Sequence, residues 1–222
     1  MKLLDLFCGA GGAGMGYHLA GFEVTGVDIV PQERYPFEFI QGDAMTFPLD
    51  GYDFIHASPP CQDYSLNLRG LVTPGKYPRL IEPVKERMIR NGAPWCIENV
   101  IGAPLPSQDT LFGDFGVMLC GTMFGMRIWR HRLFEMSFHA DEPRACDHSI
   151  VPLNPYKATS RERLYEQQGF RGGVSRALRE IMEVQWMRGA EASESIPPRY
   201  TRHLGEQFLT LQGESSGARH GD

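Results

Sequence analysis

The chain has 222 residues, of which 42% are hydrophobic and 22% charged, and its formal net charge is −5. This length and apolar content suffice for one α/β domain with a packed core, and they exclude a globally disordered chain. No apolar run approaches the ~20 residues of a membrane span, and the N-terminal run turns acidic at Asp5, so neither a membrane anchor nor a signal peptide is expected.

Strands and helices alternate along the sequence. The predicted strands cover residues 2–7, 22–28, 53–57, 95–100 and 127–138, and the predicted helices cover residues 15–20, 81–91, 175–187 and 201–211. Strands separated by helix-length segments pair in parallel, so the pattern predicts an α/β fold with a doubly wound, mostly parallel sheet.

The composition divides the chain into four segments. Residues 1–138 are expected to form the α/β core, and the polar, Arg- and Pro-containing residues 139–175 a small insertion. Residues 176–212 are expected to complete the core as helices, and residues 213–222 to form a disordered tail.

A glycine-rich loop follows the first predicted strand. Gly9, Gly11 and Gly14 fit the G-x-G-x-x-G spacing, which brings backbone N–H groups close to a ligand. Asp28 ends the second strand, where an acid can bind ribose hydroxyls, and Asp43 lies in a later strand-end turn. Two acids in these places suit an adenosyl ligand without a pyrophosphate, such as S-adenosylmethionine. The alternative is a helix-packing turn with two solvated acids.

The five cysteines are odd in number and widely spaced, which predicts reduced thiols in a cytoplasmic protein. Cys61 differs from the others because it follows two prolines directly after a buried strand. This turn presents Cys61 at the carboxyl edge of the sheet, where open α/β sheets bind ligands. Cys8, Cys96 and Cys120 are expected to be inert core residues.

In their order along the chain, these motifs resemble those of the DNA cytosine-5 methyltransferases. The matching segments are residues 5–12, Asp28, Asp43, residues 60–62 with Ser65, residues 98–100, residues 130–132 and residues 196–207. The resemblance covers nearly the whole chain. The sequence departs from the family pattern at Asp28, where many members have Glu, at Ile128 in place of Gln, and at Glu206 in place of Asn.

The resemblance implies a Rossmann-like methyltransferase fold and methyl transfer from S-adenosylmethionine to C5 of cytosine in double-stranded DNA. The implied cofactor-binding residues are Asp5, Phe7, Cys8, Gly9, Ala10, Gly11, Gly12, Asp28, Ile29, Gly42, Asp43, Ala44 and Pro60. A nucleotide inside a duplex is inaccessible, so the target base would be flipped out.

The implied catalytic residues are Cys61, Glu98, Arg130 and Arg132. The Cys61 thiolate would add to C6 of the cytosine, and Glu98 would hold the N3 and N4 edge and favour protonation at N3. Arg132 would lie at the O2 atom of the base with Arg130 nearby, and both would favour the Cys61 thiolate. Taken singly, Glu98 could instead cap a helix and the arginines could be surface charges.

The segment between Arg132 and Met187 is short, so few base contacts and a short or degenerate target are expected. Residues 127–202 contain 13 Lys and Arg and 10 Asp and Glu, so a bound polyanion would contact this part of the chain first. The candidate DNA-binding residues are Gln62, Ser65, Arg69, Lys76, Arg144, Lys157, Arg161, Arg163, Arg171 and Arg176.

Residues 64–78 are expected to close over the flipped base, or to be a plain solvated loop. The small size resembles phage-encoded or orphan members, and neither a membrane nor an obligatory protein partner is implied.

Three alternatives remain open. Ser58 and the two prolines resemble the motif of amino methyltransferases acting on N4 of cytosine or N6 of adenine, but those enzymes need an aromatic residue where this chain has Cys61. The same fold could act on RNA, on a free nucleotide or with a modified donor. A non-catalytic DNA-binding module would not need Cys61, Glu98 and Arg132 together.

One further group of residues could bind a metal. Cys146 and His148, with His139 upstream, offer three zinc ligands. With no fourth ligand apparent, the sequence favours a solvated loop, and no metal site is predicted.

Overall fold

The computed structural model describes residues 1–61, 64, 78–109, 115–149 and 173–217. Its seven strands are β1 (Lys2–Leu6), β2 (Glu23–Asp28), β3 (Glu38–Gln41), β4 (Phe54–Ala57), β5 (Trp95–Val100), β6 (Phe115–Leu119) and β7 (Arg132–Met136). Its five α-helices are α1 (Gly12–Ala20), α2 (Ile81–Asn91), α3 (Gly173–Met182), α4 (Gly189–Glu194) and α5 (Pro198–Gly217). No helix in these described ranges is both long and apolar enough to cross a membrane.

The strands form one sheet in the order β3-β2-β1-β4-β5-β7-β6. Every pair from β3 to β5 is parallel, and β7 runs antiparallel to both of its neighbours. Strands β1, β4 and β5 are almost entirely buried, which explains their continuous apolar sequences. The predicted doubly wound, mostly parallel sheet is confirmed.

Each face of the sheet is covered by its own hydrophobic core. On one face, Tyr17 of α1, Phe54 of β4 and Phe208 of α5 belong to the same buried cluster. On the other face, Ile81, Val84 and Met88 of α2 pack with buried leucines and isoleucines of the strands. The chain therefore buries both faces of the sheet and leaves the carboxyl ends of its parallel strands for a site.

Helices α1 and α5 approach each other closely because small residues line their contact. A Cβ atom on Gly16 would lie 2.0 Å from the Thr201 hydroxyl oxygen, and one on Gly205 would lie 3.0 Å from the Ala20 Cβ atom. The Thr201 hydroxyl also donates a hydrogen bond to the Ala13 carbonyl, at 2.8 Å. The last helix is thereby fixed to the helix that begins in the glycine loop.

Several predicted boundaries were wrong. The predicted strand over residues 127–138 is shorter, because β7 finds partners on β5 and β6 only from Arg132 onward. The helix predicted over residues 175–187 ends at Met182, and α4 follows it separately.

The closing helix is longer than predicted at both ends. It begins at Pro198, because proline is well tolerated in the first helical turn. It continues to Gly217, so the prediction of a disordered tail from residue 213 was wrong for its first five residues. A glycine inside a helix costs only about 1 kcal/mol and does not by itself end the helix. Within the predicted insertion, residues 150–172 lie outside the described residues, as do residues 218–222 of the tail.

Candidate active site

The loop after β1 has an unusual backbone. Phe7 has φ 56°, and Gly9 and Gly11 have φ 49° and 85°. A left-handed conformation at an aromatic residue is strained, and such strain concentrates at functional sites. The Gly9 N–H donates to the Asp28 carboxylate at 3.0 Å, and a Cβ atom on Gly9 would meet nothing within 4 Å. The loop is therefore held from one side and open at Gly9, where a ligand can approach the backbone.

The next two glycines are explained by packing. A Cβ atom on Gly11 would lie 2.8 Å from the Pro36 ring, and one on Gly12 would lie 1.9 Å from the Ser195 hydroxyl oxygen. The Ala10 carbonyl accepts a hydrogen bond from the Trp186 indole at 2.8 Å. Ala10 and Gly12 of the predicted cofactor set therefore contact residues that lie between α3 and α5, whereas Gly11 packs against the segment after β2.

Asp5 lies near the end of β1, two residues before the left-handed Phe7. Its side chain is fully buried and accepts a hydrogen bond from the Tyr35 hydroxyl at 3.0 Å. Burial raises the pKa of Asp5 to about 7, although the hydrogen bond from Tyr35 opposes this shift. Cys8 is also buried, and burial together with Asp5 raises the pKa of its thiol. Both side chains are therefore buried inside the fold, whereas the backbone at Gly9 is open.

Two acidic residues follow β2 and β3 at the same edge of the sheet. The Asp28 carboxylate accepts the N–H of Gly9 and that of Val30, the latter at 2.9 Å. Asp43 is exposed and accepts the N–H of Met45 at 2.8 Å, so it shapes its own turn. The turn residue Gly42 donates to the Asp28 carbonyl at 3.0 Å, which joins the two loops.

Apolar side chains lie beside these acids. Ile29 and Val30 are 67% and 57% exposed, although both follow a buried strand. The next loop is fixed by Arg87 of α2, which donates to the Ala44 carbonyl and, at 2.7 Å, to the Phe47 carbonyl. An open glycine backbone, two carboxylates and exposed apolar side chains suit an adenosyl group, which needs polar contacts for the ribose and an apolar surface for the ring.

The Pro-Pro-Cys turn is held by two buried polar residues. The Asn99 amide donates to the Pro59 carbonyl at 2.9 Å, which ties the turn to β5. His56 lies between the Tyr17 hydroxyl at 3.1 Å and the Ser58 hydroxyl at 2.8 Å. Burial lowers the pKa of His56 to about 3, so its ring is neutral. The segment that leads into Cys61 is therefore fixed at two adjacent residues, Ser58 and Pro59.

Glu98 and Arg132 form an ion pair next to this turn. The distance from Arg132 Nε to Glu98 Oε1 is 2.9 Å, and the two side chains are 15% and 7% exposed. Burial raises the pKa of Glu98, while Arg132, Arg130 and a hydrogen bond from Ser58 oppose the shift. The glutamate at the end of β5 can therefore hold a proton more readily than an exposed one.

Cys61 is half-buried at this pair. Burial raises the pKa of its thiol, Glu98 raises it further, and Arg132 lowers it. Arg132 therefore favours the Cys61 thiolate, as predicted, but its charge alone does not bring the pKa of this thiol below its usual value. Burial and the glutamate outweigh the guanidinium, so the resting Cys61 side chain is a neutral thiol.

Arg130 lies in the segment before β7 and has a structural contact. Its guanidinium donates to the Ser193 carbonyl of α4 at 2.9 Å, and its own carbonyl accepts the Tyr200 hydroxyl at 2.6 Å. Arg130 also acts electrostatically on Glu98. It joins the start of β7 to the C-terminal helices, whereas Arg132 directly contacts the glutamate.

No protein-family model matches the sequence, and no curated protein matches it. Solved structures do match the fold. The Schizosaccharomyces pombe Dnmt2 methyltransferase aligns over 96% of this chain and 99% of its own, with a TM-score of 0.57 and 12% identity. The Entamoeba histolytica methyltransferase EhMeth aligns over 93% and 97%, also with a TM-score of 0.57 and 12% identity. The chain has a methyltransferase fold.

A third similar structure is named as a DNA modification methyltransferase encoded within an E. coli prophage. It is 20% identical, with a TM-score of 0.48, and the match covers 72% of this chain. This chain spans only 56% of that protein's length.

On this methyltransferase fold, the predicted site residues lie along the edge of the sheet where the parallel strands have their carboxyl ends. They form two groups, one at each end of this edge. The glycine loop, Asp28 and the Asp43 turn lie at the β1–β3 end, and Cys61 with Glu98 and Arg132 lies at the β4–β7 end. Sequence reasoning missed the residues that hold these groups: Tyr35, His56, Asn99 and Trp186. Only Asn99 had a signal, because it lies inside the matched motif of residues 98–100.

The predicted DNA-binding residues are mostly untested. Gln62, Ser65, Arg69, Lys76, Lys157, Arg161, Arg163 and Arg171 lie outside the described residues, as do residues 65–77 of the predicted lid. Arg144 donates to the Met123 carbonyl at 2.7 Å, and Arg176 pairs with Glu180 at 2.8 Å. These two arginines make intramolecular contacts that DNA binding would have to share or replace.

Proposed function

We propose that this chain transfers a methyl group from S-adenosylmethionine to C5 of a flipped-out cytosine in DNA. The observation that supports the proposal most directly is the juxtaposition of a thiol, a buried carboxyl group and a guanidinium at one sheet edge. Cys61 lies within electrostatic range of both Glu98 and Arg132, which themselves are 2.9 Å apart. The open glycine loop lies at the same edge.

The thiol would act as a covalent catalyst. Cytosine C5 is a poor nucleophile, and addition of sulfur to C6 pushes electrons towards C5. Because Cys61 rests as a neutral thiol, it must lose its proton to water as the base enters the site. The sulfur then bonds to C6, the electrons of the former C5–C6 double bond move into the C4–C5 bond, and the resulting enamine is nucleophilic at C5.

Glu98 would limit the negative charge that the addition of sulfur places on the cytosine ring. Its raised pKa allows it to present a proton to N3 of the base, so that the ring gains electron density without a full negative charge. Arg132 is paired with Glu98 and can stabilise negative charge at O2 of the base. Arg130 would keep this end in place through its contact with Ser193.

Bound S-adenosylmethionine supplies an electrophilic methyl group on a sulfonium. Gly9, Asp28, Ile29 and Asp43 would hold it, through an open backbone, carboxylates and an apolar side chain. Methyl transfer to C5 would break the methyl–sulfonium bond and leave the donor as a neutral thioether. The C5 proton would then leave to a base, the C6–sulfur bond would break to restore the C5–C6 double bond and the Cys61 thiolate, and N3 would return its proton to Glu98.

The test is covalent trapping on duplex DNA that contains 5-fluorocytosine. Fluorine at C5 cannot leave as a proton does, so the enzyme would remain bonded to C6 after methyl transfer. We expect a denaturant-stable adduct that requires both S-adenosylmethionine and Cys61. Cys61→Ser, checked for native circular dichroism and for cofactor binding, should form none, and an ordinary cytosine duplex should be methylated without trapping.

Other outcomes would contradict the proposal in distinct ways. Methylation of ordinary DNA without any adduct would exclude the C5 mechanism and favour amino methylation. An adduct with 5-fluorocytosine in RNA but none in DNA would keep the mechanism and change the substrate. Cofactor binding with neither adduct nor methylation of either nucleic acid would favour a non-catalytic module.

A further inference from the structure

A second group of polar side chains lies where β6 ends and β7 begins. Cys120 follows β6, His131 precedes β7, and Cys146 and His148 lie in the segment that leads into residues 150–172. Their sulfur and ring nitrogen atoms all lie within 4.8 Å of one another. We call these four residues the Cys2His2 cluster.

The contacts inside the cluster are not those of ordinary hydrogen bonds. His148 Nε2 is 2.9 Å from Cys146 Sγ, 3.1 Å from His131 Nε2 and 3.9 Å from Cys120 Sγ. A ring nitrogen carries either one proton or one lone pair in the ring plane, so it can direct itself at one partner only. Two sulfur atoms and one nitrogen atom nevertheless surround His148 Nε2. A cation bound at the centre of the four atoms would account for this arrangement.

The distances match the ligand shell of one particular ion. Zinc binds thiolate sulfur at about 2.3 Å and imidazole nitrogen at about 2.0–2.1 Å, so a tetrahedron of these ligands has edges of about 3.3–3.8 Å. Cys146 Sγ to His131 Nε2 is 3.5 Å, and the three distances from His148 bracket this range. Two thiolates would also balance the two positive charges of the ion.

The surroundings fit a closed site. The Thr122 hydroxyl lies 3.4 Å from both Cys120 Sγ and Cys146 Sγ, and it accepts the Asp147 N–H at 3.2 Å. Such a hydroxyl can donate to a thiolate and orient it, as groups around metal ligands commonly do. The Trp129 ring stacks on His148, with ring centroids 4.7 Å apart.

We propose that the Cys2His2 cluster binds one structural Zn²⁺ ion. With four protein ligands, the ion has no open position for substrate, so its role is to join segments of the chain. It would fasten the start of the predicted insertion to the β6–β7 hairpin. It would also fix His131, which lies between Arg130 and Arg132.

This proposal replaces the weaker three-residue set found in the sequence. His139 is not part of the cluster, since its ring lies 2.6 Å from the Asp109 carboxylate and 3.2 Å from that of Asp141. The missing ligands come from residues that are 26 and 15 positions before Cys146, and one of them, Cys120, had been expected to be an inert core residue. The proposal does not depend on the proposed reaction.

The experiment measures metal content in the full-length chain. Protein purified under reducing conditions with Zn²⁺ and then dialysed should retain one Zn²⁺ per chain by mass spectrometry. Replacement by Co²⁺ should give visible absorption bands of tetrahedral cobalt and a near-ultraviolet thiolate charge-transfer band. His148→Asn alters an exposed side chain, so it should fold and should weaken Zn²⁺ binding by about a hundredfold or more.

The matched control is His139→Asn, an exposed histidine in the same segment but outside the cluster, which should retain one Zn²⁺ per chain. The proposal would be overturned if the dialysed chain held less than about a tenth of an equivalent and Co²⁺ gave no thiolate band. It would also be overturned if His148→Asn bound Zn²⁺ as tightly as the unaltered chain, or if His139→Asn lost the ion instead.

Discussion

The two ends of the sheet edge are built in different ways. At the β1–β3 end, the site is mainly backbone: left-handed residues 7, 9 and 11, and peptide N–H groups that bind the Asp28 and Asp43 carboxylates. At the β4–β7 end, the site is made of side chains, the Cys61 thiol and the buried pair of Glu98 and Arg132. Side-chain identity should therefore matter most at the second end, and backbone conformation at the first.

The largest effect is expected from Glu98→Gln. Glutamine keeps the shape but cannot balance Arg132 or carry the exchangeable carboxyl proton, so methyl transfer should fall about 10²–10³-fold. Binding of S-adenosylmethionine should be unchanged, because the glycine loop lies at the other end. Kinetics and calorimetry would measure the two quantities. The exposed Glu86→Gln on α2 is the control, and an equal loss of methyl transfer in both variants would show that the Glu98 carboxyl group has no specific role. A loss of cofactor affinity in Glu98→Gln would remove the distinction between the two ends.

The backbone-built end is tested by glycine substitutions. Gly12→Ala would bring a Cβ atom to 1.9 Å from the Ser195 hydroxyl and 2.4 Å from the Ile196 carbonyl, so we expect a loss of about 3 kcal/mol in the free energy of unfolding. Gly9→Ala meets no atom within 4 Å, and its φ of 49° should cost only about 1 kcal/mol. Its larger effect should be on cofactor affinity, because the new methyl group occupies the open face.

Gly213→Ala is the matched control, because this helical glycine has an open Cβ position and no left-handed φ. It should stabilise the chain slightly, by about 0.5–1 kcal/mol. Urea denaturation of the three variants would test the order. A Gly9→Ala variant that loses more stability than Gly12→Ala would contradict the assignment of the open face.

Asp5 predicts a pH dependence of stability. Because burial raises its folded-state pKa from 3.8 to about 7, the folded chain binds this proton more tightly than the unfolded chain does. That contribution is fully present below about pH 4 and is lost as the pH rises through 7. Asp5→Asn should therefore gain stability relative to the unaltered chain over this interval, by about 4 kcal/mol in total. Denaturation at several pH values would measure it.

The exposed Glu23→Gln on β2 serves as the control for Asp5, because this side chain lies at the surface and not in the core. A stability difference between Asp5→Asn and the unaltered chain that stays constant from pH 4 to 8 would show that Asp5 is not a buried acid.

The smallest effect is expected from Asp43→Asn. The asparagine side-chain oxygen can still accept the Met45 N–H, so the turn should survive and stability should change by less than about 0.5 kcal/mol. Cofactor affinity, measured by calorimetry, should fall by no more than a few-fold. A loss as large as that of Glu98→Gln in methyl transfer would show that this end also depends on side-chain charge.

Much of the fold could be predicted because its signals are local. Helix α2 and strand β5 have the predicted boundaries, since an amphipathic repeat and a continuous apolar run each depend on neighbouring residues. Strand β6 and helix α4 were missed because they are short and are defined by their partners. The start of β7 was wrong for the same reason, since strand pairing and not propensity decides where it begins.

Local patterns predict the doubly wound sheet, the glycine loop and the order of Cys61, Glu98 and Arg132, because periodicity, glycine spacing and motif order can be read along the chain. Three properties emerge only in the folded molecule: Glu98 pairs with Arg132, Cys61 rests as a neutral thiol, and Cys120 and His131 contact Cys146 and His148. These properties depend on burial and on distances between residues far apart in sequence. Desolvation and Coulomb interactions are set by those distances, and no local pattern encodes them.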